Sequence, residues 1–235
     1  MKLRFIFILT AFCVAIGASA QRRNVIQHKP YIDLRPMHFG ISVGMNMQDI
    51  ELESTGPIVC DADRWNTGFS VGVLADMRMS NYLNLRISPT MHFGAKHLTF
   101  LDMANLDAEG NPRTETQDLK NTYLSVPVDL KFSSQRWNNI RPYIMAGVSP
   151  MVNLTSKSQE IIQLKRTDLM LEVGIGCDMY LPFFKLIPEL KFCYGLGDRI
   201  DKSHIADLKD DNKKAYANSI KSGHTKMIVL TFYFE

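Results

Sequence analysis

From His38 to Gln48 the chain reads HFGISVGMNMQ, with an apolar residue after every small or polar one. A period of two marks a strand with one apolar face, because successive side chains point to opposite sides of the pleat. The period returns seven times. Residues 67–79 set Phe69, Val71, Val73, Ala75, Met77 and Met79 against Gly68, Ser70, Gly72, Asp76 and Arg78. Residues 82–96 set Leu83, Leu85, Ile87, Met91 and Phe93 against Asn84, Arg86, Ser88, Thr90, His92 and Lys96. A fourth segment carries Leu124, Val126, Val128, Leu130 and Phe132 against Tyr123, Ser125, Asp129 and Lys131, and a fifth Ile144, Ala146, Val148 and Val152 against Tyr143, Gly147, Ser149 and Asn153. The sixth opposes Leu169, Leu171, Val173, Ile175, Cys177 and Met179 to Asp168, Glu172, Gly174, Gly176 and Asp178. The seventh opposes Leu186, Leu190, Phe192, Tyr194 and Leu196 to Glu189, Lys191 and Gly195, and the eighth, 226–234, is mixed, with Met227 and Val229 on the phase of Thr231.

Long connectors (50–66, 97–121, 197–223) occupy one end of this series, and short ones such as Ser80-Asn81 and Pro182 to Phe184 the other. The pattern predicts an all-β, eight-stranded antiparallel up-and-down barrel. A soluble barrel would turn the apolar face inward. The glycines argue the reverse: Gly40, Gly44, Gly68, Gly72, Gly94, Gly147, Gly174, Gly176 and Gly195 all fall on the polar face. Eight strands enclose just enough room for side chains, so residues without one are wanted on the concave side. The apolar face then looks outward to lipid, where a closed barrel pairs every backbone group internally. Tyr82, Trp137, Phe183, Phe184, Phe232 and Phe234 fall at the short-turn end, and Trp65 and Phe100 near the other, as interfacial belts would. Pro89, Pro127, Pro150 and Pro188 interrupt strands three, four, five and seven, where bulges or ladder gaps are expected.

Ahead of the barrel, Lys2 and Arg4, the apolar run from Phe5 to Ala18 and the sequence Ala18-Ser19-Ala20 read as a secretory signal peptide over 1–20. Residues 21–37 follow as a periplasmic leader, read as flexible, with docking of a periplasmic partner as the other reading, and 38–235 form the barrel. Without Lys2 and Arg4 the cations number 25 against 24 acids. That balance argues against nucleic acid as a partner. Cys60, Cys177 and Cys193 are too few for a disulfide framework, and the last two fall on opposite faces.

Residues 122–148, TYLSVPVDLKFSSQRWNNIRPYIMAGV, resemble the outer-membrane β-barrel family of Bacteroidetes, with its strand ending in V-P-x-x-L-K-F followed by R-P-Y-x-x-x-G. YIDLRPMHF (31–39), YLNLRISPTMHFG (82–94) and above all PFFKLIPELKF (182–192) are similar to the PorT-like, or SprT-like, chains within it. That resemblance implies a non-enzymatic outer-membrane component of type IX secretion, supporting proteins with C-terminal sorting domains. It implies outer-membrane lipid and other secretion-system proteins as partners, and no catalytic motif. A general structural or adhesive barrel is the alternative, and an outer-membrane hydrolase a more distant one.

Asp76, Arg78, Arg86, Asp129, Lys131, Glu172, Asp178, Glu189 and Lys191 are the charges that the phase turns inward. Buried charges must pair, so a structural salt-bridge network is the plain reading and a substrate path the other. His92, Ser125 and Glu172 share the polar phase and are the residue types of a hydrolase, but they face away from lipid. The histidines at 28, 38, 92, 97, 204 and 224 have no metal-ligand spacing. Gly174-Ile175-Gly176 lies in a strand, without the helix a phosphate loop needs. No catalytic, cofactor or metal site, and no small-molecule substrate, is expected.

Overall fold

In the computed structural model, which describes residues 26–54, 58–61, 66–106, 112–155, 165–198, 200 and 220–235, all but one short turn of the regular structure is strand. The strands are β1 (Met37–Ser54), β2 (Ile58–Asp61), β3 (Asn66–Arg78), β4 (Leu83–Ile87), β5 (Thr90–Leu106), β6 (Pro112–Ser125), β7 (Val128–Ser133), β8 (Ile140–Asn153), β9 (Thr167–Tyr180), β10 (Lys185–Gly195) and β11 (Ile220–Phe234). All pair antiparallel, in the order β2-β5-β6-β8-β7-β4-β3-β1-β11-β10-β9, and the β3–β5 and β8–β9 pairings close the ring. β4 with β5, and β6 with β7, are each one stave broken once, so the wall has eight staves. β2 pairs with the far end of β5, residues 99–102.

Prolines make the two breaks, but no bulge accompanies them. Ile87 opposite Ala75 and Thr90 opposite Gly72 belong to one register across Pro89, and Val128 opposite Val148 and Ser125 opposite Met151 to one register across Pro127. A bulge inserts a residue, whereas proline only deletes an N–H, so the rungs thin without slipping. Proline carbonyls still accept: Val73 N–H donates to Pro89 O (3.0 Å), Ser88 N–H to Pro127 O (3.3 Å) and Val126 N–H to Pro150 O (3.0 Å). Pro150 and Pro188 lie inside unbroken β8 and β10, but at Pro188 the ladder to β9 has the expected gap, with no rung at Ile187 or Pro188 between Leu186 opposite Met179 and Glu189 opposite Gly176.

Burial follows the pleat. Outward residues such as Phe39, Ile144 and Ile175 are exposed by 67, 58 and 59 %, an apolar wall far larger than water tolerates. Inward residues are buried, among them Ser42, Asn46, Asp129 and Glu189. Gly176 meets the ring of Tyr143 where a Cβ would stand, and Gly94 lies 2.7 Å from the Gln48 amide by the same measure. These close approaches are the reason for glycine on the concave side.

Two expectations are corrected. The connectors 50–66, 97–121 and 197–223 are partly strand: β1 runs on to Ser54, β5 to Leu106, β6 begins at Pro112 and β11 at Ile220. Outside lipid nothing enforces apolar alternation, while backbone pairing continues. The leader also has a defined course, across the short-turn mouth. Arg78 N–H donates to Pro36 O (2.9 Å), Lys29 Nζ to Phe183 O (2.7 Å) and His28 N–H to Asn139 Oδ1 (2.9 Å). A single 3-10 turn, Ile32–Leu34, points Asp33 into that mouth.

Candidate functional site

The chemistry of this molecule is concentrated in its lumen. Arg86, fully buried on β4, donates to Asp76 on β3 (3.0 Å) and to Glu189 on β10 (2.6 Å). Tyr143 (2.5 Å) and Tyr233 (3.0 Å) donate their hydroxyls to the same Glu189, and the guanidinium carbon lies 5.3 and 5.0 Å from their ring centroids. Lys131 on β7 pairs with Asp178 (2.8 Å) and stands 3.7 Å from Asp76. Lys191 lies 3.0 Å from Asp129, 3.3 Å from Glu172 and 3.5 Å from Glu189. These pairs form one continuous network spanning β3, β4, β7, β9 and β10.

Its surroundings add groups from the strand ends and the leader. Lys185, the first residue of β10, pairs with Glu235 (2.8 Å) and Asp178 (3.4 Å). Arg141 lies 3.7 Å from Asp33, which also accepts from Tyr180 (2.6 Å) and stands 3.7 Å from Arg136. The network is thus roofed at the short-turn end by the leader. Arg78 is corrected out of the lumen. It ends β3 half-exposed, giving its guanidinium to Leu34 O (3.3 Å) and Asn81 (2.5 Å), because the strand leaves the barrel there. The side chain of Lys96, also on the inward phase, is outside the described residues.

Apolar side chains fill what the ions leave. Leu74, Tyr143, Met145, Ile187 and Tyr233 form one buried cluster, and Tyr123, Met151, Met170, Cys193, Met227 and Val229 another. A void of about 10 Å³ bounded by Thr90, His92, Pro127, Glu172 and Lys191 is room for one water. Cys177 is on the outward side of β9 and Cys193 on the inward side of β10, and both are free thiols.

His92 and Ser125 do meet. Ser125 O–H donates to Thr90 O (3.2 Å), so Ser125 accepts the Nε2–H of His92 at 3.0 Å. Nδ1 then accepts from Ser70 O–H (2.8 Å), and Ser70 accepts from Asn46 (2.8 Å). A serine nucleophile needs the reverse, a bare Nε2 to take its proton and a carboxylate on Nδ1. Glu172 is not at the histidine; it is engaged by Lys191. What this chain of donors does is satisfy five buried polar groups in a row. Among the described residues no three His, Cys, Asp or Glu side chains converge as a metal site.

Solved structures similar to this chain include Neisserial surface protein A (12 % identity, 85 % of this chain and 98 % of that chain, TM-score 0.42). The outer membrane protein OprG from Pseudomonas aeruginosa is similar at 13 % identity, over 83 % of this chain and 91 % of that chain, with a TM-score of 0.47. Ail, the attachment invasion locus protein of Yersinia pestis, is similar at 11 % identity, over 85 % and 98 %, with a TM-score of 0.39. No curated protein sequence matches. The outer membrane protein beta-barrel domain family matches residues 19–201, most of the strands and the network between them, and the chain belongs to that family.

Proposed function

We propose that this protein is a non-catalytic outer-membrane barrel that acts by contact through its surfaces, as a structural or adhesive element. The observation that carries this reading is the filled lumen. An interior closed by Arg86, Lys131, Lys191 and their carboxylates cannot pass a polypeptide or hold a substrate. With short turns toward the periplasm and long connectors outward, the usual orientation of such barrels, the strand extensions of β1, β5, β6 and β11 stand on the outer side.

A finer reading is supported by the resemblance of residues 182–192 to PorT-like chains: the barrel assists type IX secretion of proteins with C-terminal sorting domains. Some other protein then forms the conduit. Deleting the gene separates the two. In the secretion reading, unprocessed cargo accumulates in the periplasm while other outer-membrane proteins reach normal levels. In the structural or adhesive reading, cargo is exported as in the parent and surface attachment or envelope integrity changes instead. A well-folded Ser125→Ala barrel that loses the deletion-complementing activity would overturn the non-catalytic reading altogether.

A further inference from the structure

The short-turn end carries a surface for which the barrel itself has no use. Segment 26–36 leaves Ile26, Tyr31 and Leu34 exposed by 79, 76 and 59 %, yet it lies across the mouth and not on the lipid-facing wall. Beside them opens a cleft of about 280 Å³ lined by Lys29, Pro30, Tyr31, Ile32 and Arg35. The charge here is one-sided. Across residues 26–36 and the connectors 79–82, 134–139 and 181–184, the cations are Lys29, Arg35 and Arg136, with Arg78 adjoining, and the sole carboxylate is Asp33. Asp33 is turned inward and engaged by Tyr180, Arg136 and Arg141. The face offered to solvent is therefore basic and apolar together. At the opposite end the described side chains carry both signs, among them Glu51, paired with Lys226 (2.5 Å), and exposed Lys165, Arg166 and Lys221, so the one-sided charge is specific to the capped end.

We propose that this cap is the docking site for an acidic segment of a periplasmic protein, whose apolar side chains cover Tyr31 and Leu34 while its carboxylates meet Lys29 and Arg35. The inference rests on the reading that the barrel acts through its surfaces. Two features prepare the site. Lys29 is fixed by Phe183 O (2.7 Å), and the backbone of 28–29 is held by Arg136, so little order remains to be imposed on binding. Lipid headgroups are the rival occupant. They meet the wall, where Trp137, Phe183 and Phe184 stand exposed in the connectors, and not the mouth that the cap covers.

A photo-crosslinking residue in place of Tyr31 or Leu34, in the full chain in living cells, tests this. The expected result is a discrete protein adduct whose crosslinked peptide, sequenced by mass spectrometry, is net acidic. Arg35→Glu in the same chain should cut its yield about tenfold or more, since a like charge then opposes the partner, with the barrel's heat-resistant gel mobility unchanged. Adducts to lipid alone, no adduct, a net-basic peptide, or indifference to Arg35→Glu each overturn the proposal. Adducts only from the opposite end, for example at exposed Lys221, would sink the cap while leaving the surface reading intact.

Discussion

Lys191 is the only cation within ion-pair distance of Asp129 and Glu172 among the described residues, whereas the partners of Lys131 have substitutes: Asp178 keeps Lys185 at 3.4 Å and Asp76 keeps Arg86 at 3.0 Å. Lys191→Met should therefore lower unfolding free energy in lipid vesicles by about 3–5 kcal/mol, the cost of leaving a buried charge unpaired, and Lys131→Met by clearly less. Equal losses in urea titrations would mean that charge is shared diffusely along the network. The glycines allow a second comparison. Gly176→Leu must displace the Tyr143 ring and should cost about 1–3 kcal/mol as overpacking, while Gly197→Ala, with nothing within 4 Å of its Cβ, should cost nothing measurable in the same assay. Phase alone carries Arg86, Glu189 and Lys191 to one side of the wall. It is silent about height along the axis, which sets Arg86 against Glu189, 103 positions away. Nor could it reach Asp33 or Glu235, which stand outside the periodic segments, and it does not single out Arg141 and Lys185, which lie on the inward phase at the very starts of β8 and β10.

Strands were legible in the sequence only where lipid writes on them. Between Phe39 and Met47 the alternation is complete, and it decays through Asp49 and Glu51 while β1 continues to Ser54. The same happens along β5 beyond Ala95, so the extensions looked like connectors. Val71, outward at the middle of β3 and paired with Val43 and Met91, is a test of the lipid face. Val71→Arg should cost about 2–4 kcal/mol near the bilayer midplane; a variant that assembles and resists heat like the parent would reverse the wall. The prolines call for a different experiment. Pro89 occupies a position where a hydrogen-bonded pair with Val73 keeps only one of its two bonds. Pro89→Ala restores the missing donor toward Val73 O, and with unchanged register stability should hold or rise by up to about 1 kcal/mol. Strand slippage seen by NMR in that variant would show that the ring, and not the neighbouring pleat, sets the register.

Taken as a whole, the molecule is a ring of eight staves, closed laterally by β1–β11 and β8–β9 pairing, internally by ions, and at one mouth by its own leader. Ring and topology follow from eight periods and alternating connector lengths; the cap does not, because residues 26–36 have no periodicity and are held by the side chains of Arg136 and Asn139 in one connector, the Phe183 carbonyl in another and Arg78 at the end of β3. The two closures are independent. Deleting 26–36 should thus leave planar bilayers without steady single-channel conductance, since Arg86 and Lys191 still block the bore; large open events would place the seal in the leader. A bore filled with salt bridges also bears on abundance. Each added porin widens the envelope's leak, so its copy number is bounded by what the cell can keep out. Each copy of this barrel should then occupy membrane area without adding a leak, and strong overproduction should leave the entry of bulky antibiotics and dyes at the parental rate, with lipid supply and assembly capacity setting the ceiling instead.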